Sequence, residues 1–459
     1  MSDNHPKFAI VGHPNKGKSS IVASLALDDS VAISDVPGTT TKYRSYPLIV
    51  DGRVLYELFD TPGFQRARRV YEWLGIDATT PATKRVHRLR EFVNEFRDDA
   101  RYNDEIELFT PILEGAGIIY VVDASKPFAP EYELEMQLLS FTGQPSMALL
   151  NHIGDEDYSK EWKSVLNHYF KMVRTYNPIK AKIDDHIEVL EAIAQLNEDW
   201  TPLIKESIKA FQEYHKSNIQ KSADIITRYI IDTLSYQLKK PQGTISEEEL
   251  KAQYQDRLRE FESQMQTKLE QVFNHTTLQK EIQNLELSTM DMFSDESISL
   301  FGLSQKDAIL MGAGSGAVTG AALDMLTVGH TLLLGGAIGA IVGGVGAYLG
   351  YDKVSHTKVL GKDLAQKQIT IGPISNTNLA FVILTRALYY ALVLKNLSHA
   401  NRAKITLNPD ESFASKILDS TQRKILEKVH KKIKDNKEIE SRDVADYTDV
   451  IVEVLESRG

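Results

Sequence analysis

The chain has 459 residues, a length that allows two or three domains, each with a hydrophobic core. Its 53 basic and 63 acidic residues give a formal net charge of -10, which argues against indiscriminate binding to nucleic acid or anionic lipid. The sequence contains no cysteine, and this excludes disulfides, thiolate metal sites and a cysteine nucleophile. Its first residues, MSDNHPK, contain no apolar run of signal-peptide length, so we expect a cytoplasmic protein.

The first part of the chain alternates strand-like and helix-like segments, as a mainly parallel sheet with flanking helices requires. The apolar run KFAIVG predicts a strand, residues 19–27 predict a helix, and YPLIVDGRVLYELFD predicts a hairpin that turns at Asp51 and Gly52. The runs GAGIIYVVDAS and SMALLN are typical of strands buried on both faces, and residues 131–140 predict a helix between them. We therefore predict an α/β domain over residues 1–198.

A charged segment interrupts this alternation. Residues 66–113 are rich in arginine, and we predict that they form a helical insertion in the α/β domain. A charge run of this kind is more often a solvated helix face than a binding surface.

The rest of the chain, residues 199–459, predicts a mostly α-helical domain. Ser246 and Glu249 have the spacing of a capping box and precede apolar residues at helical spacing over 250–273. Residues 413–433 and 444–455 predict two further amphipathic helices.

Two apolar segments of this helical half have the composition of membrane or core helices. Residues 308–351 hold 12 of the 27 glycines and a single charged residue, Asp324, with small residues at every fourth position. This spacing lets two helices approach closely, so we predict a hairpin that inserts in a membrane, packs in a soluble core, or forms an oligomerisation face. Residues 379–397 predict an apolar helix, whose central Arg386 favours burial against a partner over a simple membrane span.

A phosphate-binding motif follows the first predicted strand. The pattern G-x-x-x-x-G-K-S begins at Gly12, and the predicted nucleotide-binding residues are Gly12, His13, Pro14, Asn15, Lys16, Gly17, Lys18, Ser19 and Ser20. The glycines let main-chain N–H groups and a helix N-terminus face the phosphates. Lys18 would reach the β- and γ-phosphates, and the Ser19 hydroxyl would ligate Mg²⁺.

Two further motifs follow in a consistent order. The loop DVPGTTTKYR offers Thr39, Thr40 and Thr41 before the hairpin, and LFDTPGF places Asp60 at the end of a strand with Gly63 three residues later. An aspartate there can hold the magnesium shell, and the Gly63 N–H can contact a γ-phosphate and sense its loss.

The segments GHPNKGKSS, VPGTT, DTPGF and VVDAS resemble the motifs of GTPases of the Era and TrmE type, over roughly residues 6–195. The whole chain resembles a bacterial group in which such a P-loop GTPase domain precedes a C-terminal domain of unknown function with a glycine-rich apolar segment. The resemblance implies a switch that hydrolyses GTP to GDP with Mg²⁺. It also makes Thr40 the first choice for the switch threonine and Thr39 the second.

The guanine-reading motif departs from the family pattern. Asn-Lys-x-Asp is expected, but LLNHIGDED supplies Asn151, then His152 in place of lysine and Gly154 in place of aspartate. Asp155 can serve if the loop bulges by one residue. The fifth family motif is not evident, and TYNPIKAK around Asn177 is a weak candidate.

The catalytic pattern departs as well, because Phe64 stands where a glutamine orients water in Ras-like enzymes. In TrmE-like relatives an asparagine at the position of Asn15 helps to bind K⁺ on dimerisation, so the resemblance implies K⁺ and a nucleotide-dependent homodimer. Arg66, Arg68 and Arg69 are the rival source of positive charge. We expect Asn15, Lys18, Thr40 and Gly63 to be the catalytic residues.

Two functional hypotheses remain open. In the first, the nucleotide state controls the helical half, which engages a membrane surface or a protein partner. In the second, the protein acts on RNA, as many Era-type relatives do, through the basic residues 84–101. No RNA-binding module is evident in the sequence and its balance is acidic, so we favour the first.

Overall fold

The computed structural model describes residues 5–28, 31, 40–50, 52–77, 79–273, 290–303, 358–359, 362–363, 368–396 and 413–457. These residues divide into two units: unit 1 comprises residues 5–216, and unit 2 comprises residues 217–457. The glycine-rich segment 308–351 predicted as a hairpin lies outside the described residues, as do Thr39 and residue 397.

Unit 1 is built on a six-stranded sheet in the order β2-β3-β1-β4-β5-β6. The strands are β1 Lys7–Val11, β2 Arg44–Val50, β3 Arg53–Asp60, β4 Gly117–Asp123, β5 Ser146–Asn151 and β6 Met172–Thr175. The edge strand β2 is antiparallel to β3, and all the other pairs are parallel. The predicted hairpin and the mainly parallel sheet are therefore confirmed.

Helices accompany this sheet along the chain. They are α1 Lys18–Ala26, α2 Ala67–Leu74, α3 Ala82–Glu95, α4 Asn103–Leu113, α5 Glu131–Ser140, α6 Ser159–Leu166, α7 Ile183–Ala194 and α8 Thr201–Ser235, with single 3₁₀ turns at Ala100–Tyr102 and Glu198–Trp200. Helix α8 continues into unit 2. The α/β architecture follows from this alternation of strands and helices.

The sheet has a hydrophobic core on each face, because successive strand residues point in opposite directions. In β1, Phe8 and Ile10 join the core that contains the apolar residues of α1 and α7. Ala9 and Val11 join the opposite core, which contains the apolar residues of α2 to α6. The loop after β1 therefore extends from a strand that is held on both sides.

Unit 2 is mostly helical in its described residues. Its elements after α8 are β7 Leu238–Pro241, α9 Glu247–Val272, α10 Asp295–Phe301, β8 Lys358–Val359, β9 Lys362–Asp363, β10 Gln368–Ile371, α11 Thr377–Asn396, α12 Phe413–Ile417, α13 Ser420–Lys434 and α14 Ser441–Ser457. Strands β7 and β10 pair antiparallel, as do β8 and β9. The predicted capping box of α9 is present, with the Ser246 hydroxyl accepting from the Glu249 N–H at 3.1 Å.

Helix α11 is the central helix of unit 2. Among the described residues it alone is long and apolar enough to cross a membrane, by length and composition only. Yet most of its side chains are buried, and it packs against α9, α10, α12, α13 and α14. The Arg386 side chain is 2% exposed and donates to both carboxylate oxygens of Glu262, at 2.8 and 3.2 Å. The same guanidinium also donates to the Ser297 hydroxyl at 2.9 Å and to the Met290 carbonyl at 3.0 Å.

The prediction of one helix over residues 413–433 is wrong. Helix α12 ends at Ile417 and α13 begins at Ser420. The Asp419 carboxylate accepts from the main-chain N–H groups of Thr421 and Gln422, at 2.7 and 2.8 Å. An aspartate in this position starts a new helix because it satisfies N–H groups that have no partner within the helix.

Candidate nucleotide site

The loop between β1 and α1 has three residues in left-handed conformations. Their φ angles are 144° at Gly12, 59° at Asn15 and 82° at Gly17. Asparagine tolerates this region better than most residues, and glycine carries no penalty there. A Cβ at Gly12 would collide with the Val121 carbonyl oxygen, and one at Gly17 would collide with the side-chain amide of Asn151. The two glycines therefore let the loop lie directly against neighbouring strands.

Lys18 begins helix α1, and its side chain folds back over this loop. Its Nζ donates to the His13 carbonyl at 3.0 Å, and the residue is buried. Burial lowers the pKa of Lys18 to about 8, against the opposing negative charges of Asp60 and Glu135. An anion bound in the loop would stabilise the charged form of this lysine.

Ser19, Thr40 and Asp60 meet at one point beside the loop. The hydroxyls of Ser19 and Thr40 both donate to Oδ2 of Asp60, at 2.9 and 3.2 Å. Asp60 is 3% exposed, and its Oδ1 has no hydrogen-bond partner among the described residues. Burial raises the pKa of Asp60, opposed by the hydrogen bond from Ser19 and the charge of Lys18. Two hydroxyls around a buried, partly unsatisfied carboxylate fit a hard cation with oxygen ligands.

This arrangement suits a metal that takes most of its ligands from water and phosphate. Among the residues that the structure describes, there is no cluster of three or more His, Asp or Glu side chains that could hold a metal ion by themselves. Mg²⁺ is typically bound through one or two carboxylates together with substrate phosphates. The oxygen ligands around Asp60 therefore fit Mg²⁺ bound together with a phosphate compound.

The segment after β3 closes against the same loop. The Phe64 N–H donates to the Gly12 carbonyl at 3.3 Å. A Cβ on Gly63 would lie 2.6 Å from the Pro14 nitrogen, a distance that real side chains do not adopt. Phe64 is buried with its ring edge-on to Phe109 of α4, at 5.9 Å between centroids. Gly63 is therefore required for the close approach of the two motifs.

The predicted base-reading residues take three different positions. Asn151 is buried at the end of β5 and donates through Nδ2 to the Lys16 carbonyl at 3.1 Å. His152 hydrogen bonds through Nε2 to the Asp157 carboxylate at 3.2 Å and the Ser159 hydroxyl at 3.0 Å. Asp155 is exposed. The structure therefore joins Asn151 to the phosphate loop and directs His152 toward the start of α6.

The loop that carries these residues is anchored by the end of β4. The Gly154 N–H donates to the Ser125 hydroxyl at 3.0 Å, and that hydroxyl donates to Oδ1 of Asp123 at 2.5 Å. Asp123 and Ser125 belong to VVDAS, so this motif shapes the loop NHIGD.

The other predicted residues differ in exposure and in contacts. Asn15 is exposed, while Lys16 is buried with its Nζ 5.5 Å from the centre of the Tyr132 ring. Ser20 is partly buried in α1. Arg66, Arg68 and Arg69 are exposed. Asn177, from the weak fifth motif, accepts through its side chain from the N–H groups of the following residues Ile179 and Lys180.

Sequence reasoning missed two buried glutamates beside the loop and the Gly63 segment. Glu135 of α5 hydrogen bonds to Nδ1 of His13 and accepts from the Tyr120 hydroxyl, both at 2.8 Å. Glu105 of α4 accepts from the main-chain N–H groups of the two residues that follow Phe64. A detectable signal existed, because both glutamates fall on the apolar face of an otherwise amphipathic helix.

Two family models match this chain. Residues 163–453 match the family model described as "Domain of unknown function (DUF3482)", which covers more than half of the chain. The chain belongs to the DUF3482 family. Residues 7–152 match the model described as "50S ribosome-binding GTPase". The resemblance to a P-loop GTPase domain of the Era and TrmE type, followed by a helical domain of unknown function, is thereby confirmed.

Individual relatives of this DUF3482 protein match short stretches. GTPase Der of Agathobacter rectalis is 41% identical over 70 residues, 15% of this chain and 16% of the relative. The tRNA modification GTPase MnmE of Mesomycoplasma hyopneumoniae is 35% identical over 80 residues, 17% of this chain and 18% of the relative. The matches therefore span less than a fifth of the length of these two relatives.

A solved structure of Era in complex with MgGDPNP and a segment of 16S ribosomal RNA is also similar to this chain. It is 17% identical, with a TM-score of 0.29, and the match covers 59% of this chain and 89% of that one.

Proposed function

We propose that the protein is a molecular switch that binds GTP and hydrolyses it to GDP. The observation that carries this proposal is the meeting of Ser19, Thr40 and Asp60 beside the phosphate loop. Mg²⁺ bound there would neutralise phosphate charge and orient the phosphates for attack by water. The GTPase model that matches residues 7–152 supports GTP as the nucleotide.

Residues of the phosphate loop and of the two following motifs have separate roles in this proposal. Main-chain N–H groups of the phosphate loop, which Pro14 cannot supply, and the N-terminus of α1 face the phosphates, and Lys18 contributes its charge to the β- and γ-phosphates. The hydroxyls of Ser19 and Thr40, with the Asp60 carboxylate, hold the magnesium shell. The Gly63 N–H contacts the γ-phosphate, so loss of the γ-phosphate on hydrolysis releases the segment that carries Gly63. Phe64 cannot orient water, which leaves Asn15 and a bound K⁺ as the proposed source of charge stabilisation.

The guanine base would lie at the loop NHIGD. We propose that the exposed Asp155 carboxylate accepts from the two guanine N–H donors, and that Asn151 and His152 shape the pocket. Adenine presents a different pattern of donors and acceptors, so a carboxylate there would reject ATP.

Nucleotide titration tests this assignment. We expect GTP to bind at least about tenfold more tightly than ATP, because hydrogen bonds to a charged acceptor are worth about 1.5–3 kcal/mol. Asp155→Ala should remove most of this preference, whereas Glu156→Ala, a neighbouring exposed carboxylate, should leave it unchanged. Equal binding of ATP by the unsubstituted protein would show that the GTPase proposal is wrong.

We further propose that a GTPase domain of residues 1–198 controls the helical half, residues 199–459, which engages a membrane or a protein partner. Helix α11 is committed to the core of unit 2 by the buried Arg386, so contact with lipid would have to use another segment. Flotation with vesicles of anionic lipid, in GDP and in a non-hydrolysable GTP analogue, tests the membrane version. Absence of lipid association in both nucleotide states would exclude it.

A further inference from the structure

Helix α4 contacts the main chain of the threonine segment that follows Thr40. The Asn103 Nδ2 donates to the Thr41 carbonyl at 2.9 Å. One turn later, the Glu107 carboxylate accepts from the Tyr43 N–H at 3.0 Å. Residues four apart lie on the same side of a helix, so a single side of α4 holds this segment.

The same helix contacts the main chain of the segment that follows Gly63. Oε1 of Glu105 accepts from the N–H groups of Gln65 and Arg66, at 3.0 and 2.5 Å. Glu105 is 0% exposed, and its Oε2 has no hydrogen-bond partner among the described residues. The Phe64 ring packs edge-on against Phe109 of this helix, so the segment is held by polar and apolar contacts together.

These two sets of contacts use different sides of one rigid element. Glu105 lies two residues, or about 200° of helical rotation, from both Asn103 and Glu107. Leu108 and Ile112 of α4 are fully buried in the core beneath the sheet, which fixes the axis of the helix. Side chains of a single helix therefore hold both segments.

We propose that α4 positions the two segments jointly, with Glu105 as the positioning residue for the Gly63 segment and Asn103 and Glu107 as those for the Thr40 segment. In the proposed GTPase, on which this inference rests, these are the segments that carry the magnesium and γ-phosphate contacts. Loss of the γ-phosphate contact in one segment would then loosen both. Coupling of this kind is reciprocal, so each side of α4 must affect the segment that it does not touch.

The absence of cysteine makes a direct test practical, because a single introduced cysteine is the one thiol that a labelling reagent can modify. Three reporter variants of the full chain each carry one cysteine at an exposed position. Lys42→Cys lies in the segment after Thr40, Arg68→Cys lies just beyond the segment after Gly63, and Lys163→Cys lies on helix α6. The rate of thiol labelling is measured for each reporter without nucleotide, alone and combined with Glu105→Gln or Glu107→Gln.

We expect Glu105→Gln to accelerate labelling at position 42, in the segment that it does not touch, as well as at position 68. Glu107→Gln should likewise accelerate labelling at position 68 as well as at position 42. An effect of about fivefold at the untouched segment corresponds to the lower end of ordinary coupling between sites. Labelling at position 163 should not change. Glu95→Gln, at an exposed position on helix α3, is the control and should leave all three rates unaltered.

Two results would overturn the proposal. Acceleration confined to the segment that each side chain touches would show that the segments are independent. An equal acceleration at position 163 would show general loosening of the unit instead of coupling. Failure of the unsubstituted protein to bind GTP would refute the proposed function alone, because the labelling experiment needs no nucleotide.

Discussion

Three of the four buried glutamates among the described residues occupy positions that helical periodicity assigns to apolar residues. Glu105, Glu135 and Glu262 are all buried, and each has specific hydrogen-bond donors. A buried carboxylate is costly unless it is paired, so each must contribute something that an apolar residue cannot. Glu262 pairs with a guanidinium in the core of unit 2, whereas the other two hold segments of the nucleotide site.

Replacement of Glu135 by alanine should weaken nucleotide binding. The change leaves the buried Tyr120 hydroxyl without its acceptor, which costs about 1–3 kcal/mol, and releases the partly exposed His13 ring of the phosphate loop. The measurement is the Kd for a fluorescent GTP analogue. Glu133→Ala, an exposed position on the same helix, is the control, and equal affinities for the two variants would contradict this role.

Gly63→Ala should discriminate between GTP and GDP. The added Cβ would meet the Pro14 nitrogen, so the segment must move away from the phosphate loop. Affinity for a non-hydrolysable GTP analogue should fall by at least about tenfold, the loss of one hydrogen bond to a charged group, while affinity for GDP should change little. A parallel loss for both nucleotides would indicate that the loop itself has been distorted.

At the scale of elements, length and composition did not decide the role of α11. The helix satisfies the criteria for a membrane span, and its burial and ion pair make it a core helix. In the same way, apolar periodicity over residues 413–433 suggested one helix, and the Asp419 cap divides it into two. Periodicity reports which residues face a core, but it does not report where hydrogen bonding to a side chain ends one helix and starts another.

Removal of one member of the buried ion pair should destabilise unit 2. We expect Arg386→Leu to lower the free energy of unfolding by about 3–5 kcal/mol, because Glu262 would remain buried without its partner. The double variant with Glu262→Leu should recover most of this loss. Denaturant unfolding of both variants provides the comparison, and a single variant as stable as the unsubstituted protein would show that the helix is not held by this pair.

The buried His430 of α13 should make unit 2 sensitive to acid. Burial lowers the pKa of His430 to about 3, against an ordinary value near 6.5 in the unfolded chain. Below pH 6.5 the unfolded state therefore binds a proton that the folded state does not, and stability falls as the pH decreases. At pH 5 the loss is about 2 kcal/mol relative to pH 7.5.

Denaturant unfolding at the two pH values measures this contribution. In His430→Phe, the decrease in the free energy of unfolding from pH 7.5 to pH 5 should be smaller by about 2 kcal/mol. This expectation does not depend on the stability of the variant at pH 7.5. An unchanged difference between pH 7.5 and pH 5 would show that His430 does not contribute. The hydrogen bond between this ring and the Tyr447 hydroxyl is also lost in the variant, but its loss lowers the stability at both pH values.

At the scale of the whole molecule, the family models match residues 7–152 and 163–453, whereas the structure divides the chain after residue 216. The second model therefore includes β6 and α7 of unit 1. The phosphate loop, the segments after Thr40 and Gly63, and the loop NHIGD all belong to unit 1. In the proposed GTPase, Asn15 would help to bind K⁺ when two copies associate, because Phe64 stands where a water-orienting glutamine is expected.

GTP turnover per molecule should therefore rise with protein concentration in K⁺ and remain low in Na⁺. A cation placed at the transferring phosphate by dimerisation would stabilise the transition state, as an arginine does in other GTPases. Asn15→Ala should remove the dependence on K⁺ without abolishing GTP binding. Turnover independent of both the cation and the protein concentration would refute this mechanism.

The sequence by itself determined the order of the nucleotide motifs, the mainly parallel sheet, the capping box of α9 and the helical character of the second half. These features depend on patterns within about ten residues, such as strand alternation, helical periodicity and glycine positions. Only the tertiary structure decided the rest: the joint contact of α4 with two segments, the pairing of Arg386 with Glu262, and the hydrogen bond of Asn151 to the phosphate loop. Each joins residues dozens of positions apart, and side-chain partners at such distances are set by how the elements pack.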